Sequence, residues 1–357
     1  MQTVPGTVIS HIPASTGIYV GSPGLAVLPD GTYIASHDEF GPRSTEHTKA
    51  VSHIFRSKDK GLSWEKIATI HGAFWSNLFV HRKQLYLLGT DRHHGNAVLH
   101  QSTDGGVTWK TVVLRDDSEY HCAPVPIVEH KGRLWRGFEW RNPPQAWGVN
   151  YRAGVLSIST RADLMNLKNW QATNFLPSDR SWNGGDMGAW LEGNVVIAPD
   201  GSLVDILRVQ TQSPDEKAAW ASISADGKTM SFDPTTGFFP FPGGAKKFAI
   251  RWDKKSKRYW SLASILTEKY RAPDPGKIRN TLALTSSTNL RDWEVRSIIL
   301  SHPDVKNHGF QYVEWLFEGD DIIAACRTAY GDDHGGAHNN HDANYLTFHR
   351  IEDFRNK

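Results

Sequence analysis

One pattern of apolar and polar positions recurs six times along the chain. Each copy is a short apolar run, a polar turn and a second apolar run, as in GLAVLPDGTYIAS at 24–36 and YVEWLFEGDDIIAACRT at 312–328. Short runs rich in β-branched and aromatic residues, separated by Gly- and Asp-containing turns, are typical of β-hairpins. No segment has a convincing apolar repeat of 3.6 residues. The pattern therefore predicts an all-β chain built from hairpins.

A second kind of turn follows the hairpins. SKDKGLSW at 57–64 and STDGGVTW at 102–109 share Ser, Asp, Gly and Trp at matching positions. In such turns Asp and Gly supply the bend, and the Trp fills the gap between neighbouring units. Weaker copies end the other repeats, so that the closing aromatics are Trp64, Trp109, Trp170, Phe232, Trp293 and Phe354. Their spacing of 45 and then 61 or 62 residues, with strands only, predicts propeller blades.

The repeat predicts a six-bladed β-propeller with four antiparallel strands in each blade, formed as one domain by residues 1–357. A seven-bladed propeller is the alternative. The leading segment TVPGTVISHI at 3–12 has no partner in its own unit. We expect it to be the outer strand of the last blade, because that pairing joins the two termini and removes an open sheet edge.

The strand order predicts two different faces. Turns inside the hairpins lie on one face, and this face carries ordinary hairpin residues. Loops between the second and third strands, together with the links between blades, lie on the other face, which receives at least ten of the 17 histidines. Loops on one side of a rigid scaffold commonly carry function, so we expect the site on this second face.

Composition narrows the classes of function. The chain has 357 residues, of which 39% are hydrophobic and 22% charged, so it can form a core and is not globally disordered. A net charge of +2, with no long basic run, argues against a nucleic-acid partner. No apolar stretch approaches the 18 residues of a membrane span. Cys122 and Cys326 are expected to be buried free thiols.

Localisation and oligomeric state stay open at this point. The first residues, MQTVPGTVIS, lack the charged and apolar regions of a signal peptide. The protein is expected to be secreted or periplasmic if a native leader is absent from this sequence, and cytoplasmic otherwise.

Histidines on the second face are candidate proton-transfer groups, since a neutral imidazole near pH 7 can accept a proton and its conjugate acid can return it. The alternative for each of them is a hydrogen bond to a loop carbonyl. The candidates for catalysis are the four histidines and one arginine His37, His94, His121, His338 and Arg327.

Cationic and aromatic side chains on the same face are candidates for substrate binding. A guanidinium binds a carboxylate through two parallel hydrogen bonds, which favours an acidic ligand, although exposed loop salt bridges are the alternative. Flat indole rings can stack on sugars or pack between blades. The substrate-binding candidates are Arg92, Trp140, Trp182, Asn183, Lys246, Arg279, His308, Gln311 and Tyr312.

A metal site is a further possibility. His338, His341 and Asp342 combine H-x-x-H with a carboxylate, a set that suits an imidazole-binding cation, and the pair His93-His94 offers the same ligand type. Spacing dictates no third ligand. No cofactor is expected to be required beyond such a divalent metal, whose identity the sequence does not indicate.

The turns and the four-strand repeat resemble the sialidase-like propellers over essentially the whole chain. That resemblance implies three arginines on a substrate carboxylate, a Tyr nucleophile with a Glu, an Asp acid and an Arg-Ile-Pro start. At the matching stretch this chain reads Gly21-Ser22-Pro23-Gly24, without the arginine.

Other segments look closer to a second branch of these propellers. ASHDEFGP at 35–42, GTDRHHGN at 89–96 and GGAHNNHDAN at 335–344 resemble ulvan lyases, rhamnosyl-glucuronate lyases and a rhamnosidase-type group with a histidine-centred site. This resemblance implies a histidine proton shuttle, a cation on a uronate carboxylate and sometimes a metal.

The predicted function is cleavage of a uronate- and rhamnose-containing glycan by histidine-assisted β-elimination. Arg279 or Arg327 would stabilise the enolate-like charge, His94 or His121 would remove the proton, and a second His or a Tyr would protonate the leaving oxygen. An exo-acting glycoside hydrolase of rhamnosidase or sialidase type is the alternative. The sequence does not indicate which two carboxylates would act together in this reaction. The candidates are Asp38, Glu39, Asp91, Glu119, Glu139, Asp186 and Asp342. A non-catalytic glycan-binding propeller is the third possibility.

Overall fold

The computed structural model describes residues 3–357, and the strands in this range form six antiparallel sheets arranged as blades. Strand β1 (Thr7–His11) opens the described chain. Blade 1 follows with β2 (Tyr19–Val20), β3 (Gly24–Val27), β4 (Tyr33–Phe40), β5 (Val51–Ser57) and β6 (Glu65–His71). Blade 2 contains β7 (Phe74–His81), β8 (Gln84–Thr90), β9 (Ala97–Ser102) and β10 (Lys110–Arg115).

Blades 3 and 4, like blade 1 with β2 and β3, each have one strand split into two short pieces. Blade 3 contains β11 (Tyr120–His121), β12 (Val128–His130), β13 (Arg133–Arg141), β14 (Tyr151–Ser159) and β15 (Trp170–Ala172). Blade 4 contains β16 (Ala189–Ile197), β17 (Leu203–Gln210), β18 (Lys217–Ile223), β19 (Met230–Ser231) and β20 (Phe238–Pro240). β11 and β12 both pair with β13, and β19 and β20 both pair with β18.

Blades 5 and 6 complete the ring. Blade 5 contains β21 (Phe248–Asp253), β22 (Arg258–Ser264), β23 (Thr281–Ser287) and β24 (Glu294–Ser301). Blade 6 contains β25 (Gly309–Glu318), β26 (Asp321–Ala329) and β27 (Tyr345–Ile351). The prediction of six blades is confirmed, and the seven-bladed alternative is wrong, because the described residues form six sheets.

The N-terminal strand closes the last blade, as predicted. β1 pairs antiparallel with β27, with Thr7 opposite Phe348 and His11 opposite Tyr345. Ile9 is buried in a cluster that includes Val20 of blade 1 and Leu346 of blade 6. The closure therefore buries apolar surface as well as pairing a sheet edge.

The Asp-containing turns have the predicted internal bonding. The Ser57 hydroxyl donates to the Asp59 carboxylate and accepts from the backbone N–H of Gly61 at 2.9 Å. The Asp59 carboxylate also accepts from the N–H of Ser63 at 2.9 Å. The Trp64 indole donates to the Gly61 carbonyl at 3.3 Å. Such a turn is thus stabilised by its own side chains.

The core lies between the blades. Trp260 of blade 5 and Trp315 of blade 6 are both fully buried in one shared cluster, and Cys326 packs in the same layer. Both cysteines are free and buried, as expected. Helical residues in the described range are confined to 3-10 turns at Ala14–Thr16, Leu167–Asn169, Asn183–Gly185, Glu268–Tyr270, Pro275–Lys277 and Phe354–Asn356. None of these helices could cross a membrane.

Candidate active site

A cavity of about 350 Å³ opens at the centre of the predicted face and draws on all six blades. Its lining includes one residue from each blade in turn, namely Asp38, Trp75, His121, Glu192, Arg279 and Tyr312. Three other cavities are larger: two of about 640 and 600 Å³, and one of about 440 Å³ at the outer edge of blades 2 and 3. The first two are the largest. One lies between blades 4 and 5 and the other near the hairpin turns, so neither gathers polar groups around the axis. The central cavity is the candidate site.

Three backbone irregularities aim side chains into this cavity. The inner strands of blades 2, 4 and 6 shift register between Phe74 and Asn77, between Leu191 and Asn194, and between Gln311 and Glu314. Each shift contains a residue with positive φ, and these are Trp75 (+47°), Glu192 (+58°) and Tyr312 (+52°). Left-handed backbone is uncommon for such residues, and bulges that re-aim a side chain concentrate beside active sites. All three side chains line the cavity.

Three buried arginines surround the same space. Arg208, Arg279 and Arg327 are 4%, 6% and 4% exposed and all line the cavity. Two of their N–H groups, Nη1 of Arg279 and Nε of Arg327, are buried without a hydrogen-bond partner. An unsatisfied buried donor costs about 1–3 kcal/mol, and more when it is charged. The three guanidiniums together suit the cavity to an anionic ligand.

Burial also affects the pKa values of these guanidiniums. It lowers the pKa of Arg279 to about 10 and shifts the pKa of Arg327 downward. Burial acts in the same direction on Arg208, but Glu192 and Tyr312 outweigh it and raise the pKa of Arg208. All three remain cationic at neutral pH, so the cavity carries a concentrated positive charge.

Tyr312 lies at the centre of this charge. The guanidinium carbon of Arg327 is 4.9 Å from the centroid of the Tyr312 ring, and that of Arg279 is 5.8 Å from it. Arg208 Nη1 donates to Glu192 Oε2 at 3.0 Å, and Arg208 also hydrogen-bonds Tyr312. One guanidinium therefore holds both the carboxylate of Glu192 and the phenol of Tyr312.

Asp38 provides a buried carboxyl group with a raised pKa. Its Oδ1 accepts from the backbone N–H of Ser22 at 3.0 Å, while the buried Oδ2 has no partner. Burial raises the pKa of Asp38 to about 7, against the lowering effects of the Ser22 N–H and of Arg327. A carboxyl group that is partly protonated at neutral pH can act as a general acid.

Three histidines line the cavity in neutral form. His121 Nδ1 lies 2.7 Å from Glu139 Oε2. Burial lowers the pKa of His121 to about 3 and raises the pKa of Glu139 to about 8. Burial likewise lowers the pKa values of His93 and His341 to about 3. These imidazoles can accept hydrogen bonds or bind a metal, but they add no positive charge at neutral pH.

The structure brings part of the predicted site together. His121, Arg279, Tyr312 and Arg327 line the cavity, and so does His341 from the predicted metal set. Gln311 lies one step behind them, since its amide donates to the carbonyls of Asn340 and His341 at 2.8 and 2.9 Å. It thereby supports the loop that carries His341.

The other predicted histidines lie outside the cavity lining. His94 Nε2 is 2.5 Å from the hydroxyl of Tyr151, in the wall behind Trp75. His37 is fully buried, with Nε2 3.0 Å from Ser10 Oγ. The remaining two rings stack on aromatic neighbours: His308 on His302 and His338 on Tyr19.

The remaining predicted binding residues also have structural partners away from the lining. The Trp140 indole donates to the Ser118 carbonyl at 3.1 Å, and its ring packs against Phe175. Trp182 packs against Trp190 and Phe232. Among the polar predicted residues, Arg92 pairs with Asp91, Asn183 with Lys217, and Lys246 with Glu216.

The predicted metal set is not gathered in one place. His341 Nδ1 is 2.8 Å from Asp342 Oδ1, but the His338 ring lies against Tyr19. Within residues 3–357, three metal-binding side chains come close together in another group, formed by Glu46, His47 and His93.

Sequence reasoning missed Glu192 and Arg208 as cavity residues, and it assigned Trp75 and Trp147 to packing between blades although both line the cavity. Glu192 and Arg208 lie inside β16 and β17, which the apolar pattern assigned to ordinary strands. A charged residue near the end of a buried strand was the available signal for Arg208. No local signal marked the bulge that turns Glu192 inward.

No family model and no curated protein sequence matches this chain. Solved structures do match its fold. An α-L-arabinanase from Penicillium chrysogenum, complexed with arabinobiose, is 14% identical, with a TM-score of 0.61 over 99% of both chains. The Hadza microbial sialidase Hz136 is 12% identical, with a TM-score of 0.66 over 97% of this chain and 68% of that one.

A third structural match is a sialidase from Trypanosoma rangeli in complex with sialic acid. It is 15% identical, with a TM-score of 0.59 over 98% of this chain and 58% of that one. Identities this low establish the shared architecture alone. The chain therefore has the β-propeller fold that these arabinanase and sialidase structures also have.

Proposed function

We propose that this protein is a glycoside hydrolase that removes a terminal, carboxylate-bearing sugar from a glycan. The observation that carries the proposal is the group of three buried arginines around Tyr312, two of which have unpartnered N–H groups. Guanidinium–carboxylate contacts are charge-assisted, and each contributes about 1.5–3 kcal/mol. A carboxylate on the substrate would be held by this group of guanidiniums.

The proposed nucleophile is the Tyr312 hydroxyl. In the first step the phenol oxygen bonds to the anomeric carbon, and its proton passes to the Glu192 carboxylate. The glycosidic oxygen leaves with the proton of Asp38. Glu192 and Tyr312 share the Arg208 guanidinium, which keeps the base beside the nucleophile.

The second step would release the sugar. Water donates a proton to the ionised Asp38 and attacks the anomeric carbon, while the Tyr312 oxygen leaves and recovers its proton from Glu192. Two displacements at one carbon retain the anomeric configuration. The burial that raises the pKa of Asp38 to about 7 suits a group that must first give and then take a proton.

The proposal is tested with fluorogenic glycosides of N-acetylneuraminate and glucuronate and with a neutral arabinofuranoside. We expect release from an acidic glycoside, its loss in Tyr312→Phe, and its retention in Tyr259→Phe. The Tyr259→Phe variant also loses a partly buried hydrogen bond, from the Tyr259 hydroxyl to the Ile197 carbonyl, but Tyr259 lies away from the cavity. Cleavage of the neutral glycoside alone would contradict the carboxylate requirement, and full activity in Tyr312→Phe would contradict the nucleophile.

A second candidate function is β-elimination from a uronate. It is favoured by His121, a neutral imidazole that lines the cavity and has Glu139 behind it. His121 would take the proton at C5, Arg279 and Arg327 would hold the carboxylate, and Tyr312 would protonate the leaving oxygen. The product would carry a double bond, so ultraviolet absorbance of an unsaturated uronate distinguishes this reaction from hydrolysis. Binding without either product would indicate a glycan-binding propeller.

A further inference from the structure

Two loops of neighbouring blades meet at the edge of the cavity and bring three metal-binding side chains together. Glu46 and His47 lie between β4 and β5 of blade 1, and His93 lies between β8 and β9 of blade 2. The backbone N–H of His93 donates to the carbonyl of Glu46 at 2.6 Å, which fixes one loop on the other. One ligand atom from each side chain lies within 4.8 Å of the other two.

Glu46 has one carboxylate oxygen held and one directed at both histidines. Its Oε2 accepts from the backbone N–H of Gly41 at 3.2 Å. Its Oε1 is 3.0 Å from Nε2 of His47 and 3.8 Å from Nδ1 of His93. The two imidazole centroids are 4.7 Å apart. Nδ1 of His93 is buried and has no hydrogen-bond partner, so its lone pair or proton is unsatisfied.

The donor set selects a class of metal. Two imidazole nitrogens and one carboxylate oxygen suit Zn²⁺ and neighbouring divalent transition metals better than Ca²⁺ or Mg²⁺. Bonds of about 2 Å in a tetrahedral site place ligand atoms roughly 3.3 Å apart. The His47 side chain is 71% exposed, so a change of its rotamer can supply the small approach that this requires.

We propose that Glu46, His47 and His93 bind a divalent transition metal of the Zn²⁺ class at the edge of the cavity. Three protein ligands leave at least one coordination position open. Glu46 and His93 both line the cavity, so an oxygen of the bound sugar can complete the coordination. This last contact rests on the proposed function, whereas the metal site itself does not.

Metal binding is tested on the full chain after chelator treatment, by calorimetric titration with Zn²⁺ and by elemental analysis of the dialysed protein. We expect one Zn²⁺ per chain with a Kd of micromolar or tighter. His47→Ala, Glu46→Gln and His93→Ala should each weaken binding at least tenfold, and His130→Ala should leave it unchanged. His130 ends β12 near the hairpin turns, away from the cavity.

His47→Ala keeps the test valid if the more buried variants fold poorly, because its side chain is mostly exposed. Absence of stoichiometric Zn²⁺ binding in the wild-type chain would overturn the proposal. Binding that is equally tight in His47→Ala and in wild type would also overturn it, since the metal would then lie elsewhere.

Cobalt substitution tests the contact with the sugar separately. Co²⁺ at this site gives visible absorption bands that respond to a change in ligands. We expect N-acetylneuraminate or glucuronate to shift these bands in the wild-type chain. Calorimetry would show whether either sugar saturates the cavity of the Co²⁺-bound chain. If it does and the bands stay unchanged, the sugar contact is wrong, whereas the metal site is unaffected. If the wild-type chain binds Zn²⁺ but has no hydrolase activity, the proposed function is contradicted and the metal site is not.

Discussion

A Cβ atom added to Gly21 would lie 2.3 Å from Oδ2 of Asp38, closer than any real contact of that kind. The backbone N–H of Gly21 also donates to the Asp38 carbonyl at 2.7 Å. The resemblance to sialidases places an arginine at Gly21, and the packing explains why this chain has none: no side chain fits there while Asp38 stays in place. The cavity has three guanidiniums without it, those of Arg208, Arg279 and Arg327.

Replacement of Gly21 by alanine should therefore damage both stability and activity. Overpacking of a close contact typically costs about 1–3 kcal/mol, and the displaced group is the proposed acid. We expect a lower Tm and a turnover reduced at least tenfold. Gly331→Ala is the matched control, since an added Cβ meets nothing within 4 Å there. Equal behaviour of the two variants in thermal unfolding and in the glycoside assay would show that the contact is unimportant.

The pKa of Asp38 predicts a limit to activity above neutral pH. Hydrolysis needs the protonated carboxyl group, and burial raises its pKa from 3.8 to about 7. Turnover should fall as pH rises through about 7. In Asp38→Asn the remaining activity should be low and should lack this limb. Turnover that stays constant from pH 6 to pH 9 in the wild-type chain would exclude Asp38 as the acid.

The same group predicts how stability depends on pH. Between about pH 4 and pH 7 the folded chain keeps the Asp38 proton and the unfolded chain loses it, so the free energy of unfolding falls as pH rises. Above that window both states are ionised and the effect is constant. Asp38→Asn cannot ionise, so its stability relative to wild type should increase from pH 4 to pH 7. Denaturant titrations at both pH values measure the difference, and a constant difference would contradict the raised pKa.

Arg279 should contribute to binding at the expense of stability. Its Nη1 is buried and unpartnered, and it is expected to meet the substrate carboxylate. Arg279→Met removes about 1.5–3 kcal/mol of charge-assisted bonding, so kcat/KM for an acidic glycoside should fall about 10- to 150-fold. Tm should stay equal or rise, because a buried cationic group without a full set of partners is lost.

The control for Arg279→Met is Arg296→Met on the outer strand β24, where the exposed ion pair with Glu294 is expected to contribute little. It should leave kcat/KM unchanged. An unaltered kcat/KM in Arg279→Met would remove the carboxylate from the proposal, whatever happens to Tm.

The fold was predictable because its signals are local. Ser57, Asp59 and Trp64 bond within a single turn, so eight residues suffice to recognise it. The face that carries the cavity follows from strand order alone. The site was less predictable, since alternation cannot detect the bulge that turns Glu192 inward. Nor could the sequence distinguish the cavity residue His121 from His94, whose partner Tyr151 lies in strand β14, 57 residues further along the chain.

His121 separates the two candidate reactions. In hydrolysis by Tyr312 and Asp38 it only lines the cavity, so His121→Gln should keep more than a tenth of wild-type turnover. In elimination it is the base, and the same change should abolish turnover. His94→Ala is the control, because it removes a wall contact with Tyr151 at 2.5 Å and should lower Tm more than turnover. Complete loss of turnover in His121→Gln, with folding intact, would favour elimination.

The closure of the ring by β1 is open to a test within one strand. Ile9 is 6% exposed and packs between blades 1 and 6, whereas its neighbour Val8 is 41% exposed on the same strand. Ile9→Asp places a charge in the apolar layer and also loses the burial of a large side chain, which alone costs about 2–5 kcal/mol. We expect a strongly lowered Tm and aggregation through the edge of β27, which would lose its partner.

Val8→Asp makes the same chemical change on the exposed side and should shift Tm little. If the two variants have the same Tm, pairing of β1 with β27 is not needed for closure of the propeller. The core between the blades would then be sufficient to close it.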